Sequence, residues 1–527
     1  MTSPSSIDYI IADVKSKQQE VVKKRSKRRG TGIGTQIKED QAMMFDLMNI
    51  FTYMSSIATA DIRKDEIFEL AGQQDGITAR LLKKIHLLAR NYGYNYATAC
   101  RLVSEEAHHP ALKDFLIRFS NALATGEEEA KFLRGETEKM IEVYTNKYQS
   151  DVETLKKWTD GYSALLVSVM LIIAVFLIST MLFRMGNILT MAILSGTLFC
   201  FVAFFGVYVI YRVAPYEKMV HSLPVKSKEQ VLAGRLSMFI LPACMLISVI
   251  LVAIDMKPWL IFLLVSLFLL PIGLLGMIDG KKIEKRDMDL SSFLKALGST
   301  AGIMGSTLTQ AMGHLDKKAV GSLGKQVERL RKRLVNGINP KISWYHFIGE
   351  TGSELVHRST RVFLDAIELG GDPNKIGAIV SQSALGIALL RAKRKLVSSG
   401  FVNLLIPLHV TMCGVLVFIY QIMFSFNEAI VKMMQAHSTE VGGAMKNIPA
   451  GMGFNFMEGV DLAFIAKYVT IIVLVLSVAN AFAAKFAAGG SRYTLCFYAS
   501  IMFLLSAFVL FAIPMIANNI FSVELGT

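Results

Sequence analysis

Long apolar runs alternate with long polar blocks along this chain of 527 residues. A helix needs about 20 apolar residues to cross a bilayer, so runs of that length predict transmembrane helices. Seven such runs lie at 162–183, 188–211, 236–255, 259–278, 401–424, 464–485 and 496–519. With a mean hydropathy of +0.44 and 53% hydrophobic residues, the composition is that of an integral membrane protein with a substantial aqueous part.

The two largest polar blocks show helical periodicity and divide the chain into five parts. The predicted fold class is an all-α polytopic membrane protein, with about seven transmembrane helices and two duplicated cytosolic helical-bundle domains. The parts are a basic disordered tail at 1–40, a first cytosolic helical domain at 41–160, transmembrane helices one to four at 161–278, a second cytosolic helical domain at 279–400, and transmembrane helices five to seven at 401–527, with an extracytoplasmic segment at 425–462.

The two polar blocks correspond to each other at a shift of about 245 residues. Residues 80–90 fall opposite 325–334, and residues 124–128 fall opposite 369–373. In both blocks a basic helix precedes a turn of glycine and an acidic residue by the same distance, and a further helix then runs to the membrane. The shared order of features predicts an internal duplication, with a chance match as the alternative.

Each block is predicted to end in a long helix that enters the membrane without a break. No proline occurs between Pro110 and Pro215, and apolar residues recur at steps of three to four from Leu133 to Trp158. The second block repeats this arrangement from Asn374 to the span that begins at Phe401. Such a stalk would couple the position of a cytosolic domain to its membrane helix.

The distribution of basic residues predicts the orientation in the membrane. With seven spans and a cytoplasmic N-terminus, all but five of the 56 lysines and arginines lie inside, as the positive-inside rule requires. The C-terminus is then extracytoplasmic, and no signal peptide precedes the first span. The run from Lys23 to Arg29 is expected either to bind anionic membrane lipids or to be a solvated extension.

The two polar blocks differ in charge, which indicates where a partner would bind. Residues 41–160 carry a net charge of −3 and residues 279–400 carry +9, so the blocks would meet different surfaces or each other. One helix of the second block concentrates Lys325, Arg329, Arg331, Lys332 and Arg333, and its weaker counterpart carries Arg80, Lys83 and Lys84. These are the candidate partner-binding residues; the alternative is a solvated face.

Motifs for catalysis and cofactor binding are not found. Gly324-Lys325 lacks the spacing and the hydroxyl residue of a phosphate-binding loop, since Gln326 follows. The cluster Glu105, Glu106, His108 and His109 has the spacing of a carboxylate-bridged metal site, but the opposite positions supply no second set. Five scattered cysteines predict no disulfide and no zinc site. We therefore expect no enzymatic activity, no cofactor, no metal and no nucleic acid partner.

The apolar spans contain few polar side chains. Their centres hold no Asp, Glu, Lys or Arg, and the most polar residues are Asn403, His409, Gln421 and Asn480. Transporters usually place ionisable residues along their pathway, so this composition disfavours a transporter. His409 is expected to be a hydrogen-bonded packing residue rather than a proton relay.

This architecture resembles the platform proteins of the type II secretion and type IV pilus superfamily. The resemblance covers about residues 41–519 and includes the turns at Gly126-Glu127 and Gly371-Asp372. The extra spans within 188–278, together with the length, are most similar to the archaeal branch, the archaellum platform proteins called FlaJ or ArlJ.

The resemblance implies a hub at the base of a filament. Such a protein would form a homo-oligomer, dock a hexameric cytosolic secretion or motor ATPase, and couple its strokes to the assembly of filament subunits that are archaellins or pilins. Whether it also rotates the filament is left open by the resemblance. An archaeal adhesion pilus or a type II secretion-like system is the alternative within the superfamily. A multi-span transporter with regulatory cytosolic domains is the alternative from another class.

Overall fold

The computed structural model describes residues 33–107, 109–182, 188–438 and 462–524. Within these ranges the chain folds into seventeen α-helices and two short 3-10 turns, without a β-strand. Val220 and Ser353 form an isolated antiparallel β-bridge. The predicted all-α class is confirmed.

The first six helices form the first copy of the repeat, and the last of them continues into the apolar bundle. They are α1 (Ile33–Ile57), α2 (Lys64–Gly72), α3 (Ile77–Tyr92), α4 (Tyr96–Glu106), α5 (Pro110–Thr125) and α6 (Glu129–Leu182). α1 begins inside the segment that the sequence assigns to the basic tail. The rest of that tail, residues 1–32, lies outside the described residues, as do residues 439–461 of the predicted extracytoplasmic segment.

Two apolar helices separate the copies, and two more follow the second copy. The separating helices are α7 (Ile188–Val213) and α8 (Lys228–Ala253). The second copy consists of α9 (Pro258–Met304), α10 (Leu308–Gly313), α11 (Lys317–Val320), α12 (Gly324–Val335), α13 (Pro340–Thr351), α14 (Glu354–Glu368) and α15 (Pro373–Ser438). The chain then forms α16 (Leu462–Ala488) and α17 (Thr494–Glu524).

The two copies match helix by helix at a spacing of 244 residues. The helices α2, α4, α5 and α6 begin 244 residues before α10, α13, α14 and α15, respectively. Positive φ angles recur at the same spacing, at Asp61 and Gly305, Gly93 and Gly337, and Gly126 and Gly370. The structural partner of Gly126 is thus Gly370 rather than Gly371, and the sequence estimate of about 245 was one residue too long.

Seven of the helices are long and apolar enough to cross a membrane, which confirms the predicted number of spans. They are α6, α7, α8, α9, α15, α16 and α17. Six of them pack around a core that includes Leu166, Phe199, Leu405, Leu476 and Met502, all fully buried. The exception is α8, which packs along α9 and leaves most of its apolar surface facing outward.

The two copies pack against each other through one continuous hydrophobic core. This core joins Met54 and Phe115 of the first copy to Phe293 and Phe363 of the second. α1 of the first copy contacts both α14 and α15 of the second. The opposite charges of the two copies suggested that they contact either different surfaces or each other. The structure shows that they contact each other.

Three helices connect the copies directly to the apolar bundle. The predicted stalks α6 and α15 are single helices of 54 and 66 residues. α9 is a third stalk of 47 residues, because the fourth span continues through position 279 into the second copy. Its Ile283, Leu290 and Leu294 are fully buried, so the same helix supplies both a span and part of the polar-domain core.

Candidate functional site

The predicted docking helix α12 lies at the surface of the second copy and presents its cations in two groups. Lys325, Arg331 and Lys332 are exposed to solvent, as is Glu328, whose carboxylate lies 2.8 Å from the Lys332 ammonium. Val327 and Leu330 on the opposite face are buried and attach the helix to the domain. Because this amphipathic arrangement fixes the helix, the three exposed cations form a stable positive surface, which we call the basic face.

Arg329 and Arg333 contact Glu350 of the neighbouring helix α13 instead of forming part of an uncommitted surface. The Arg329 guanidinium donates to a Glu350 oxygen at 3.1 Å, and Arg333 donates to the other oxygen. Burial alone would raise the pKa of Glu350, but the hydrogen bonds from Arg333 and Arg329 outweigh it and lower the pKa. These two arginines therefore contribute to the packing of α12 on α13.

The counterpart α3 offers a weaker positive surface. Arg80 donates to the carbonyl oxygen of Gly76 at 3.2 Å, and Lys84 donates to Glu106 at 2.6 Å. Lys83 is exposed. Two of the three cations in α3 thus have partners within the first copy, and three of the five cations in α12 have partners within the second.

A buried ionic junction lies where the second copy meets the apolar bundle. Arg391 of α15 contacts Asp287 of α9 at 2.6 Å and Glu217 of the α7–α8 connection at 3.2 Å. Glu217 also accepts a hydrogen bond from Arg394 at 2.9 Å. All four side chains are less than a tenth exposed. Each charge thus has a partner, as buried charges require.

Arg394 also connects the junction to the end of α16. Its guanidinium donates to the carbonyl oxygens of Pro215, Phe486 and Ala487 at distances from 2.9 to 3.2 Å. The Phe486 and Ala487 carbonyls belong to the last turn of α16, where few intrahelical donors remain, and Pro215 lies just after the end of α7. A single side chain therefore holds the stalk α15 against two other helices of the bundle.

The α7–α8 connection attaches to the second copy through further polar contacts. The backbone N–H of Glu354 donates to the carbonyl of Met219 at 2.9 Å, and the Lys218 ammonium lies 3.2 Å from the Glu354 carboxylate. His221 contacts the carbonyl of Gly349 at 3.2 Å. The turn between α13 and α14 is consequently fixed to the region beneath the apolar bundle.

A hydrogen-bonded chain joins four helices inside the apolar bundle. The Tyr162 hydroxyl donates to Asn480 Oδ1 at 3.0 Å, so the Asn480 amide nitrogen faces His409 Nδ1 at 3.1 Å. His409 Nδ1 then accepts, and Nε2 donates to Ser506 Oγ at 2.9 Å. All four residues are fully buried. This geometry satisfies a neutral histidine on both nitrogens, in agreement with the expected packing role.

The predicted metal-like cluster is not assembled within the described residues. No group of three or more metal-ligating side chains occurs in the described ranges, and His108 lies outside them. Glu106 contacts Lys84, and His109 Nδ1 accepts from the backbone N–H of Ala111 at the start of α5. These contacts explain the residues as an ion pair and a helix cap.

Comparison with known proteins shows sequence similarity to a protein found in two organisms. The chain is 25% identical over 366 residues to flagella accessory protein J of Methanocaldococcus jannaschii, which covers 66% of this chain and 64% of that protein. It is 22% identical over 342 residues to flagella accessory protein J of Methanococcus voltae, which covers 62% of this chain and 61% of that protein. The chain is therefore similar in sequence to flagella accessory protein J.

This relationship agrees with the resemblance inferred from the architecture, because both point to an archaellum FlaJ-type protein. The alignments span slightly less than two thirds of the length of the FlaJ relatives. No protein family profile matches the chain, and no solved structure matches it.

The sequence reasoning missed the ionic junction. The predicted stalk from Asn374 to Phe401 contains Arg391 and Arg394, but the sequence gives no indication that they are buried. A usable signal existed, since Glu217 and Asp287 are acidic residues that flank the apolar runs close to the membrane boundary. Their pairing with Arg391 could be found only from the fold, because the partners lie 174 and 104 residues away.

Proposed function

We propose that this chain is the membrane platform protein of an archaellum or a related type IV pilus-like machine. It docks a cytosolic hexameric ATPase and couples the conformational strokes of that ATPase to the assembly of filament subunits. The similarity to two flagella accessory proteins favours an archaellum over an adhesion pilus. In this proposal the protein acts by binding and transmission and performs no catalysis of its own.

The observation that carries the proposal is the continuity between the polar copies and the apolar bundle. Three stalk helices, α6, α9 and α15, belong to both parts. The buried contacts of Arg391 and Arg394 fix α15 to the α7–α8 connection and to α16. A displacement of the second copy by a partner would therefore move the membrane helices with it, since no flexible linker separates the two.

The basic face of α12 is the proposed docking surface for the ATPase. Its residues Lys325, Arg331 and Lys332 are exposed, whereas Arg329 and Arg333 are held by Glu350. An acidic partner surface would be attracted electrostatically, and the attraction would weaken with salt. Reversal of the exposed residues tests docking, while reversal of Arg329 or Arg333 would also disturb the contact between α12 and α13.

Co-purification is the direct test of the proposed function. The full-length protein, tagged and extracted from its native membrane, should retain a cytosolic ATPase and filament subunits that mass spectrometry can identify. Filament assembly should fail in cells that lack the chain. Recovery of a solute-transport complex, together with substrate flux in proteoliposomes, would contradict the proposal and favour a transporter.

The orientation proposed here places both polar copies in the cytosol. A cysteine introduced at Ser322 should react with a membrane-impermeant thiol reagent only after the membrane is opened. A cysteine introduced at Ser438 should react in intact cells. Because the five natural cysteines must first be replaced, the cysteine-free protein is the control. Labelling of the Ser322→Cys variant in intact cells would contradict the orientation.

A further inference from the structure

An open cleft lies between the first and last helices of the second copy. It has a volume of about 660 Å³ and is bordered by α9 on one side and α15 on the other. Its walls include Met288, Ala388, Ala392 and Leu396, with Lys285 at the edge. A cleft of this size can hold a small organic ligand.

The cleft exists because small side chains replace large ones. At a spacing of 244 residues, Ala388 and Ala392 correspond to Tyr144 and Tyr148 of the first copy. Both tyrosines are buried, and Tyr144 packs against Phe45 with ring centroids 6.2 Å apart. Tyr216 packs over the same region, and a void of only about 10 Å³ remains there. The first copy thus fills the space that the second copy leaves open.

The position of the cleft brings it to the membrane surface. Both of its walls are helices that continue into apolar spans. Ser399 precedes the span at 401 by two residues, and Lys285 follows the span that ends at 278 by seven. At 1.5 Å per residue, Lys285 lies about 10 Å beyond the apolar run and Ala388 lies about 20 Å beyond the span at 401, so the cleft begins at the lipid headgroups and extends outward from them.

The side chains around the cleft combine an uncommitted cation with exposed apolar surface. Leu396 is 73% exposed and Met288 is 39% exposed, although both border the cleft. Three carboxylates also line the cleft, and each has a partner: Asp287 pairs with Arg391, Glu284 pairs with Lys395, and Asp289 accepts a hydrogen bond from the backbone N–H of Ser322 at 2.7 Å. Lys285 is exposed, and its ammonium forms no ion pair with a described residue. An anionic group with an apolar body would complement this surface.

We propose that this cleft binds a phospholipid of the surrounding membrane. The phosphate would lie against Lys285, the glycerol backbone and the chains would pass Leu396 and Ser399 toward the membrane, and the rest of the headgroup would cover Ala392 and Ala388. The lipid would then occupy the space that Tyr144 and Tyr148 fill in the first copy. This proposal concerns a ligand of the stalks and does not depend on the docking of an ATPase.

The duplication supplies the test variant. Replacing Ala388 and Ala392 together by tyrosine installs the side chains of the first copy and should fill the cleft. Native mass spectrometry of the full-length protein, purified in detergent and titrated with an anionic phospholipid, should show one bound lipid fewer per chain. Leu389→Tyr is the matched control, because this exposed residue of α15 does not line the cleft, and lipid binding should be unchanged.

A second variant tests the headgroup and does not depend on whether the double variant folds. Lys285→Glu should weaken binding of the anionic phospholipid at least tenfold, and it should also weaken binding of a zwitterionic phospholipid, which carries the same phosphate. Equal lipid binding by wild type, Lys285→Glu and the double tyrosine variant would overturn the proposal. A photoreactive residue at Leu396 that crosslinks to a protein in native membranes, rather than to lipid, would assign the cleft to a protein partner and also overturn it.

Discussion

The two copies of the repeat share a backbone but use different surfaces. Gly93 and Gly337 both adopt positive φ, and Asn95 and Asn339 both cap the following helix through their side-chain oxygen. In contrast, the first copy fills its α1–α6 cleft with tyrosines, and the second copy leaves the equivalent α9–α15 cleft open. The basic face also belongs only to the second copy.

The difference shows which features of a duplicated domain are physically constrained. A left-handed turn demands glycine or a tolerant polar residue, so its position is kept even where the helices around it change. A helix surface has no such demand, because many side chains fit the same backbone. The copies can therefore remain one structural unit while they acquire separate binding surfaces.

The largest expected effect is the difference in unfolding free energy lost when Arg391 or its counterpart in the first copy is replaced by alanine. Arg391→Ala leaves Asp287 and Glu217 buried without their shared partner, which should cost about 3–5 kcal/mol of unfolding free energy. Lys147, 244 residues earlier, is half exposed and pairs with Asp151 within one helix, so Lys147→Ala should cost less than about 1 kcal/mol. Thermal unfolding in detergent measures both. Equal losses would show that the junction is no more important than a surface pair.

A smaller effect should appear at the contact between the α7–α8 connection and α14. Burial would raise the pKa of Glu354, but hydrogen bonds and charges from His357, Arg358 and Lys218 lower it to about 2. Because the folded pKa is depressed, the carboxylate stabilises the fold above its ordinary pKa near 4.5, and this stabilisation is lost as pH falls toward 2.

Glu354→Gln therefore tests both the sign and the location of this contribution. At pH 7 the variant should lose roughly 3 kcal/mol of unfolding free energy, and the difference from wild type should shrink between pH 4.5 and pH 2. Thermal unfolding across that range is the measurement. A difference that stays constant with pH would indicate a loss of packing rather than of a charged contact.

The smallest expected effects concern the turns that the copies share. Gly93→Ala and Gly337→Ala should each cost about 1 kcal/mol, since both glycines have positive φ and no steric conflict would otherwise arise. Gly135 lies within α6 with open space around it, so Gly135→Ala should stabilise by about 0.5–1 kcal/mol. Different losses of unfolding free energy at Gly93 and Gly337 would show that the two turns are not equivalent.

Local patterns were sufficient to predict the helices but not their contacts. The seven spans and the stalks α6 and α15 follow from apolar periodicity and from the absence of proline, which are properties of neighbouring residues. The third stalk was missed because the boundary was placed where polarity changes, although α9 continues through Asp279, whose carboxylate accepts from Ser227 at 2.8 Å. In the sequence, a buried carboxylate whose hydrogen-bond donor lies far away along the chain cannot be distinguished from a polar residue at the end of a membrane span.

The candidate docking helix was likewise predicted only in part. Its cations are evident from composition, but the division between Lys325 at the surface and Arg333 against Glu350 depends on how α12 packs on α13. Helical spacing placed Arg329 and Arg333 on one face without showing what covers that face. Tertiary structure therefore shows which cations already have partners, namely Arg329 and Arg333 with Glu350 and Lys332 with Glu328.

The central claim is that the second copy binds the ATPase through its basic face. The direct measurement is the affinity of the purified cytosolic ATPase for the full-length protein in nanodiscs. Wild type is compared with a reversal of Lys325, Arg331 and Lys332 to glutamate, and with a matched reversal of Arg80, Lys83 and Lys84 on α3. The account predicts that the α12 reversal reduces affinity at least a hundredfold, that the α3 reversal changes it less than fivefold, and that wild-type binding weakens with salt. Wild-type affinity in the α12 variant, or a larger loss in the α3 variant, would contradict it.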